Sequence, residues 1–433
     1  MRLPSVRWFA CLAIASLIAL GARADSAVAM NPIAESYVKL ALAAGVHDGD
    51  FVDAYSGPAE WKTAAEAARL PLAEIRRQAQ ALGATLAAMD LAGLDEMGRL
   101  RHEYLVKQLR AMDARLALVD GHKLPFDEES ALLFDAVAPH HDLAHFDALL
   151  ADLDKALPGE GSLAARYQAF RNQFIIPPAK LDAVFTAAIN EARTRTKRHI
   201  ALPEGESFTV EYVTNQPWGG YNWYKGGFHS LIQVNTDLPI FIDRAIDLAA
   251  HEGYPGHHVY NALLEKNLLR DRGWIEFSVY PLFSPQSLIA EGTANYGIEV
   301  AFPKADQIAF ERDVLFPLAG LDPARAAEYH RVLELTKDLG VAGNEVARDY
   351  LNGVISADEA AARLERYTLT ESSRAKKSVS FMTKYRSYVI NYNHGQQLVR
   401  EFIEAAAKGD PERRWDEFAK LISSPRLPSN LTD

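Results

Sequence analysis

The stretch His251-Glu-Gly-Tyr-Pro-Gly-His-His258 is the most informative part of this sequence. It places three imidazoles and one carboxylate within eight residues, directly after the apolar run Ile240–Ala250. The apolar residues of that run recur at helical spacing, and imidazole and carboxylate are side chains that bind transition metals. The sequence therefore predicts a buried helix that ends in a metal site, within a fold that is mainly helical.

The spacing of this stretch departs from HExxH, in which two histidines one helical turn apart bind zinc and the glutamate activates water. Four residues after His251 stands Pro255, and the next imidazoles are His257 and His258. In an unbroken helix His258 would return to the face of His251, but about 10 Å along the axis. Because Pro255 removes an amide hydrogen bond, a widened turn at Pro255-Gly256 would instead bring His257 to His251. This favours His257 as the second ligand, with His258 as the alternative.

A second segment, Glu291-Gly-Thr-Ala-Asn-Tyr-Gly-Ile-Glu299, follows another helical run. Glu291 would present its carboxylate from a second helix. Two histidines and one glutamate form a standard ligand set that leaves one position of a catalytic zinc open. The predicted cofactor is therefore Zn²⁺, and Glu252 is the predicted general base.

The segment His141-Asp-Leu-Ala-His145 is a competing metal motif, because its histidines are four residues apart. Asp142 is one methylene shorter than glutamate and reaches less well as a base, and the sequence offers no evident third ligand. The alternative interpretation, a polar helix face or the wall of a cleft, is favoured.

The first 24 residues are typical of a cleavable signal peptide. The apolar stretch Trp8–Leu20 is too short to span a bilayer comfortably, and Ala22-Arg-Ala24 matches a small-x-small cleavage site. The mature chain is expected to begin at Asp25, with Ala27-Val-Ala29 as a second possible cleavage site, and to be periplasmic or secreted. Cys11, the only cysteine, lies in this segment, so we expect no disulfide and no thiolate ligand in the exported chain.

The chain has 433 residues, with 46 Lys and Arg against 57 Asp and Glu and a net charge of −11. An acidic chain without a basic run argues against binding to nucleic acid or anionic membranes. No linker rich in glycine, serine or proline divides the chain. We therefore expect a single domain over residues 25–433, with an N-terminal helical part at 31–199 and a catalytic part at 200–433. The oligomeric state is not specified.

Helical spacing dominates residues 31–199 and returns after residue 259. Between these regions, Phe208–Thr214 and Leu231–Thr236 are rich in β-branched and aromatic residues, and an aromatic, glycine-rich connection joins them. The predicted fold class is mainly α with a small β-sheet immediately before the His-Glu helix.

The motifs resemble those of the bacterial domain-of-unknown-function 885 family, over roughly residues 31–402. The positions that match the family are His251, Glu252, Pro255, Gly256, His257, His258, Glu291, Gly292, Ala294, Tyr296 and Gly395. The family usually has Trp at the place of Thr293 and Glu at the place of Ile298, and Glu299 is one residue out of register. The family is similar to the helical Glu-zincin metallopeptidases. This resemblance implies a large helical Glu-zincin-like fold around a deep cleft.

The resemblance and the motifs together imply an exported zinc-dependent hydrolase, in the first place a peptidase that cleaves peptide or amide bonds. Tyr392 and His394 are the candidate donors to the developing oxyanion, although Tyr392 could equally belong to the core. The strand Ile232–Asn235 could pair with an extended peptide by edge addition. The nearby aromatic residues could line the cleft or belong to the core: Trp218, Tyr221, Trp223 and Tyr224.

Two other functions stay open at this point. The protein could be a non-catalytic metal-binding or scaffolding protein, or an amidase that acts on cell-wall peptides or small amides. Glu252 favours an enzyme, because metal binding alone does not require a base beside the first ligand.

Overall fold

The computed structural model describes residues 28–216 and 218–432. The predicted signal peptide, its cleavage site before Asp25, and Cys11 lie outside the described residues. The described chain is mainly helical with small sheets, which confirms the predicted fold class. None of its helices combines the length and the apolar character that a membrane span requires.

Nineteen helices are numbered along the described part of the chain. The helices before the sheet are α1 (residues 28–45), α2 (Ala59–Ala68), α3 (Leu72–Ala87), α4 (Glu96–Val119), α5 (Phe126–Phe134), α6 (Leu143–Ala156), α7 (Leu163–Arg171) and α8 (Leu181–His199). Those after the sheet are α9 (Asp243–Leu248), α10 (His257–Leu264), α11 (Pro285–Ala301), α12 (Lys304–Phe310), α13 (Phe316–Ala319), α14 (Ala326–Glu334), α15 (Ala342–Leu351), α16 (Ala357–Tyr367), α17 (Ser372–Tyr385), α18 (Ile390–Ala407) and α19 (Pro411–Ile422). Three π-helical segments extend or join them: Ala249–Gly253, Glu265–Arg270 and Glu311–Leu315.

The strands form two small sheets. Their bounds are β1 (Val52–Tyr55), β2 (Ser207–Val213), β3 (Gly220–Gly226), β4 (His229–Asn235) and β5 (Val279–Pro281). β1 pairs antiparallel with β5, and the second sheet has the order β2-β4-β3, with β2 parallel and β3 antiparallel to β4. The sequence predicts β2 and β4, but it describes β3 only as a connection.

The prediction that β4 pairs with a substrate by edge addition is wrong. β4 lies between β2 and β3 and forms ladder hydrogen bonds with both, so it has no free edge. β2 and β3 are the edge strands, and several residues of β3 line the cleft described below.

Helix α11 is central to the fold because nearly all of its side chains are buried. A helix that is apolar on all sides must pack against other elements all round. On one side it meets α18 through two glycines: a Cβ added at Gly292 would lie 2.5 Å from the carbonyl oxygen of Gly395. A Cβ added at Gly395 would lie 2.9 Å from the carbonyl oxygen of Leu288. The two helices thus cross with their backbones in contact, one residue after Glu291.

Candidate metal centre

The His-Glu motif lies where a helix is first widened and then interrupted. α9 continues into the π-helical segment Ala249–Gly253, which carries His251 and Glu252. The chain then leaves the helix at Tyr254, and α10 begins at His257. The widened turn therefore precedes Pro255, and the prediction that placed it at Pro255-Gly256 is wrong in position. Its consequence holds, because His257 does lie beside His251.

Gly256 allows the chain to turn back on itself between the two histidines. Its amide donates a 2.9 Å hydrogen bond to the carbonyl oxygen of Ala250. A Cβ at this position would lie 1.9 Å from the carbonyl oxygen of His251 and 2.4 Å from that of Ala250. Both contacts are with backbone atoms, so only glycine fits here.

Three ligand atoms converge at this point. His251 Nε2 and His257 Nε2 are 3.1 Å apart, and Glu291 Oε2 lies 3.3 Å from the first and 3.7 Å from the second. Tetrahedral bonds of about 2.0–2.2 Å to one zinc ion would separate its ligand atoms by about 3.3–3.6 Å. Among residues 28–216 and 218–432, these three are the only such group of metal-binding side chains. The structure thus brings together three of the four predicted ligands.

The buried carboxylate of Glu291 is held by a residue that the sequence did not identify. Tyr388 donates a 2.8 Å hydrogen bond to Glu291 Oε1, while Oε2 is buried and has no hydrogen-bond partner. Burial raises the pKa of Glu291, but the neighbouring imidazoles of His251 and His257 lower it by more, so the carboxylate stays ionised. Oε2 is therefore an anionic, unpartnered atom directed at two imidazole nitrogens.

Two hydrogen bonds of the Asn295 side chain, on α11, orient the ring of His251. Asn295 Nδ2 donates to the carbonyl oxygen of Tyr392 at 3.2 Å, which fixes the orientation of the amide. Its Oδ1 lies 3.0 Å from His251 Nδ1, so Nδ1 carries the proton and donates it. The lone pair of His251 is consequently on Nε2, which faces the cluster. Such outer hydrogen bonds commonly fix the tautomer of a metal ligand.

Glu252 is buried beside the cluster and lines the same cleft. Its backbone carbonyl accepts a 2.7 Å hydrogen bond from Asn222 on β3, which ties the motif to the sheet. Gly220, the first residue of β3, leaves room for the side chain: a Cβ there would lie 3.1 Å from Glu252 Oε1 and 2.6 Å from Leu248. The glycine-rich connection in the sequence is therefore the strand that covers the predicted base.

The structure does not bring His258 to the cluster. Adjacent residues of a helix point about 100° apart, so His257 and His258 at the start of α10 face different directions. His258 is fully buried, and its ring nitrogens lie 2.9 Å from Ser230 Oγ and 3.1 Å from Glu206 Oε2. Glu206 also accepts a 2.6 Å hydrogen bond from Tyr254. His258 thus anchors α10 and the preceding turn and is not a ligand in this geometry.

Replacing each histidine in turn separates these two roles. We expect His257→Ala to abolish stoichiometric zinc binding with little loss of stability. His258→Ala should keep zinc but lower the free energy of unfolding by about 1–3 kcal/mol, because Ser230 and Glu206 lose a buried partner. Metal analysis and thermal denaturation measure the two effects. Loss of zinc only in His258→Ala would contradict the assignment.

The two candidate oxyanion donors have different surroundings. Tyr392 lines the cleft, and burial followed by the charges of Glu291 and Glu252 raises its pKa well above the usual value. His394 is buried but does not line the cleft, and its Nδ1 has no hydrogen-bond partner. Because residues two positions apart on a helix point about 200° apart, α18 cannot direct both into one cleft. The structure therefore does not support the prediction for His394.

The cluster opens on a cavity of about 1020 Å³. Of the four aromatic residues, Trp218, Tyr221 and Trp223 line this cavity. Tyr224 does not line it and instead donates to Glu265 Oε2 at 2.6 Å.

Asp53 on β1 is a further carboxyl group in the cleft, which the sequence analysis does not identify. It accepts a hydrogen bond from Tyr221, and burial raises its pKa to about 6. No local sequence signal marks Asp53, because it is almost 200 residues from the motif.

The competing motif does not form a comparable site. The rings of His141 and His145 stack with centroids 5.5 Å apart, and the backbone amide of His141 donates to Glu345 at 3.0 Å. Neither belongs to a convergent group of three ligands within the described residues. This agrees with the interpretation as a polar helix face.

Comparisons with known proteins establish the fold and leave the function open. No protein-family model matches the chain. No curated protein matches it either. A solved structure described as a "putative lipoprotein" from Colwellia psychrerythraea is similar to it, with a TM-score of 0.52 and 15% identity. The match covers 86% of this chain and 71% of that chain. At this identity the likeness concerns the fold alone.

Proposed function

We propose that this protein is an exported zinc-dependent peptidase. The observation that carries the proposal is the convergence of three ligand atoms, from His251, His257 and Glu291, on one wall of a large cleft. Glu252 lies next to the first ligand in sequence and lines the same cleft. The resemblance of these motifs to the domain-of-unknown-function 885 family supports the proposal, as does the N-terminal segment typical of a signal peptide.

The donor set fits zinc. Two imidazole nitrogens and one carboxylate oxygen are the ligands of many catalytic zinc sites, and the fourth position is left for water or substrate. Calcium and magnesium prefer six or more oxygen ligands, which this cluster does not offer. Binding a cation would also give Glu291 Oε2 the partner that it lacks in its buried position.

When bound, zinc would supply a water molecule with a pKa of about 7 and would polarise the carbonyl oxygen of the substrate. Within the described residues, no side chain forms a hydrogen bond with the carboxylate of Glu252. We infer that this carboxylate takes the proton of the attacking water and passes it to the nitrogen of the leaving amine.

Tyr392 is the candidate donor to the oxygen that gains negative charge. Its raised pKa keeps the hydroxyl protonated at neutral pH, and this hydroxyl has no partner among the described residues. Tyr388 is less suited, because its hydroxyl already donates to Glu291. A tyrosine that donates only to the developing oxyanion stabilises the transition state more than the substrate.

The proposal is tested by measuring metal and hydrolysis together. We expect the purified protein to bind about one zinc ion and to cleave members of a defined mixture of synthetic peptides, detected by mass spectrometry. Chelation should stop cleavage, and added zinc should restore it. A small amide such as an amino-acid anilide serves as the comparison substrate. Zinc binding without cleavage of any probe would favour the non-catalytic alternative, and cleavage of the anilide alone would favour an amidase.

A further inference from the structure

Four cationic side chains line one part of the cleft, although the chain as a whole is acidic. We call this group the basic wall; its members are Arg171 on α7, Arg244 on α9, and Arg374 and Lys377 on α17. Arg374 and Lys377 are one helical turn apart, so they share a face of α17. Residues from three separate helices therefore place positive charge on the same cavity.

Two carboxylates form ion pairs with members of the basic wall. Asp243 accepts from Arg171 Nη2 at 3.0 Å and from the hydroxyl of Tyr329 at 2.5 Å. Asp247 is paired with Arg244. Arg374 makes no hydrogen bond or ion pair within the described chain, and the carboxylate that attracts it is Glu371, three residues earlier. Within the described residues, the guanidinium of Arg374 thus lines the cleft without a hydrogen-bonded carboxylate.

The guanidinium groups of the basic wall are close enough to repel one another. Burial lowers the pKa of Arg374, and the charge of Arg171 lowers it further. Burial likewise lowers the pKa of Arg244, with further contributions from Arg171 and Arg374, although Asp243 and Glu252 oppose them. A ligand anion beside Arg374 would relieve this repulsion and would give its guanidinium a hydrogen-bonded partner.

The distance between the basic wall and the metal centre determines how many substrate residues fit between them. Arg244 and His251 are seven residues apart on one continuous helical run, and both line the cleft. Their Cα atoms are thus separated by about 10 Å along the axis. An extended peptide covers about 3.3–3.6 Å per residue, so this distance corresponds to roughly three residues.

We propose that the basic wall binds a carboxylate of the substrate about two to three residues from the scissile bond. The carboxylate is either the C-terminus of a peptide or an acidic side chain. In the first case the enzyme would release short C-terminal fragments. This inference rests on the proposed peptidase function. The affinity of the basic wall for a carboxylate can nevertheless be measured without any turnover.

The test is calorimetric titration of the zinc-loaded Glu252→Gln protein, which should not consume peptides. Three probes share the sequence acetyl-Phe-Ala-Ala and differ at the next residue: leucine with a free carboxylate, leucine amide, and glutamate amide. We expect the free acid to bind at least roughly tenfold more tightly than leucine amide, as for a charge-assisted hydrogen bond. If the glutamate amide also binds tightly, the site accepts a side-chain carboxylate; if it does not, the site is specific for the C-terminus.

Arginine variants show whether the basic wall is responsible. Arg374→Ala should remove the preference for the free acid, and Arg374→Lys should retain part of it. The control Arg331→Ala, at an exposed position on α14, should change nothing. A preference that persists in Arg374→Ala would mean that the carboxylate binds the zinc ion, and the proposal would be rejected.

The same measurements separate this inference from the proposed function. Equal affinity for the acid and the amide would reject the basic wall as an anion site, even if the wild-type protein cleaved peptides. An Arg374-dependent preference in a protein that cleaves no peptide would support the anion site and reject the peptidase. In the active wild-type protein, mass spectrometry should find cleavage two to three residues before the carboxylate.

Discussion

Replacing Glu252 with glutamine is expected to lower the kcat of peptide cleavage by roughly 10²–10⁴-fold, the usual contribution of a general base. Glutamine has the same shape, but its amide cannot accept a proton from water. His251, His257 and Glu291 are unchanged, so the zinc content should equal that of the wild-type protein. Steady-state kinetics on a peptide that the wild-type protein cleaves, together with metal analysis, measure the two effects.

The matched control is Glu299→Gln. Glu299 lies in the same sequence segment as Glu291 but is directed to an ion pair with Arg400. We expect this variant to keep full activity. If Glu252→Gln retained activity, the carboxylate would not be the base, and Asp53, whose pKa is raised to about 6 and which lines the same cleft, would be the next candidate.

Replacing Gly256 with alanine is expected to abolish tight metal binding although no ligand is removed. The added methyl would overlap the backbone carbonyls of Ala250 and His251, so the turn must open and carry His257 away from His251. The loss of affinity should exceed the roughly 10–100-fold that follows removal of an outer hydrogen bond. Competition with a chromogenic chelator measures zinc affinity.

Gly83→Ala provides the control for this glycine. Gly83 lies in α3, where an added Cβ would meet nothing within 4 Å. Because alanine is favoured over glycine in a helix, the change should stabilise the protein by up to ~1 kcal/mol and leave zinc binding unchanged. If Gly256→Ala bound zinc as tightly as Gly83→Ala, the ligands would not depend on the tight turn.

The sequence predicts the helices well and the details of the site less well, for a physical reason. Helical periodicity and the His-Glu motif are local signals, and they identify His251 and Glu291, which the structure brings together, and Glu252, which lines the same cleft. The choice between His257 and His258 depends on where the helix is interrupted. That position is determined by hydrogen bonds from Tyr254 and Gly256 to Ala249 and Ala250, which the residue pattern does not reveal.

The residues that support the ligands are not marked by local patterns. Tyr388 is one of several tyrosines around the beginning of α18, in the turn that precedes the helix, and only the approach of α11 to this region shows that it donates to Glu291. Asn295 lies within a recognised segment, but its role follows from its contact with His251. The strand β3 was missed because glycine is rare in strands, yet Gly220 is needed to admit the side chain of Glu252.

The contact between Gly292 and Gly395 has a consequence for motion in the cleft. Two helices that touch through bare backbone cannot slide past each other without overlap of main-chain atoms. This contact therefore fixes the position of Glu291 on α11 relative to Tyr392 on α18. We expect the spacing of these two residues to stay constant when a substrate enters the cleft.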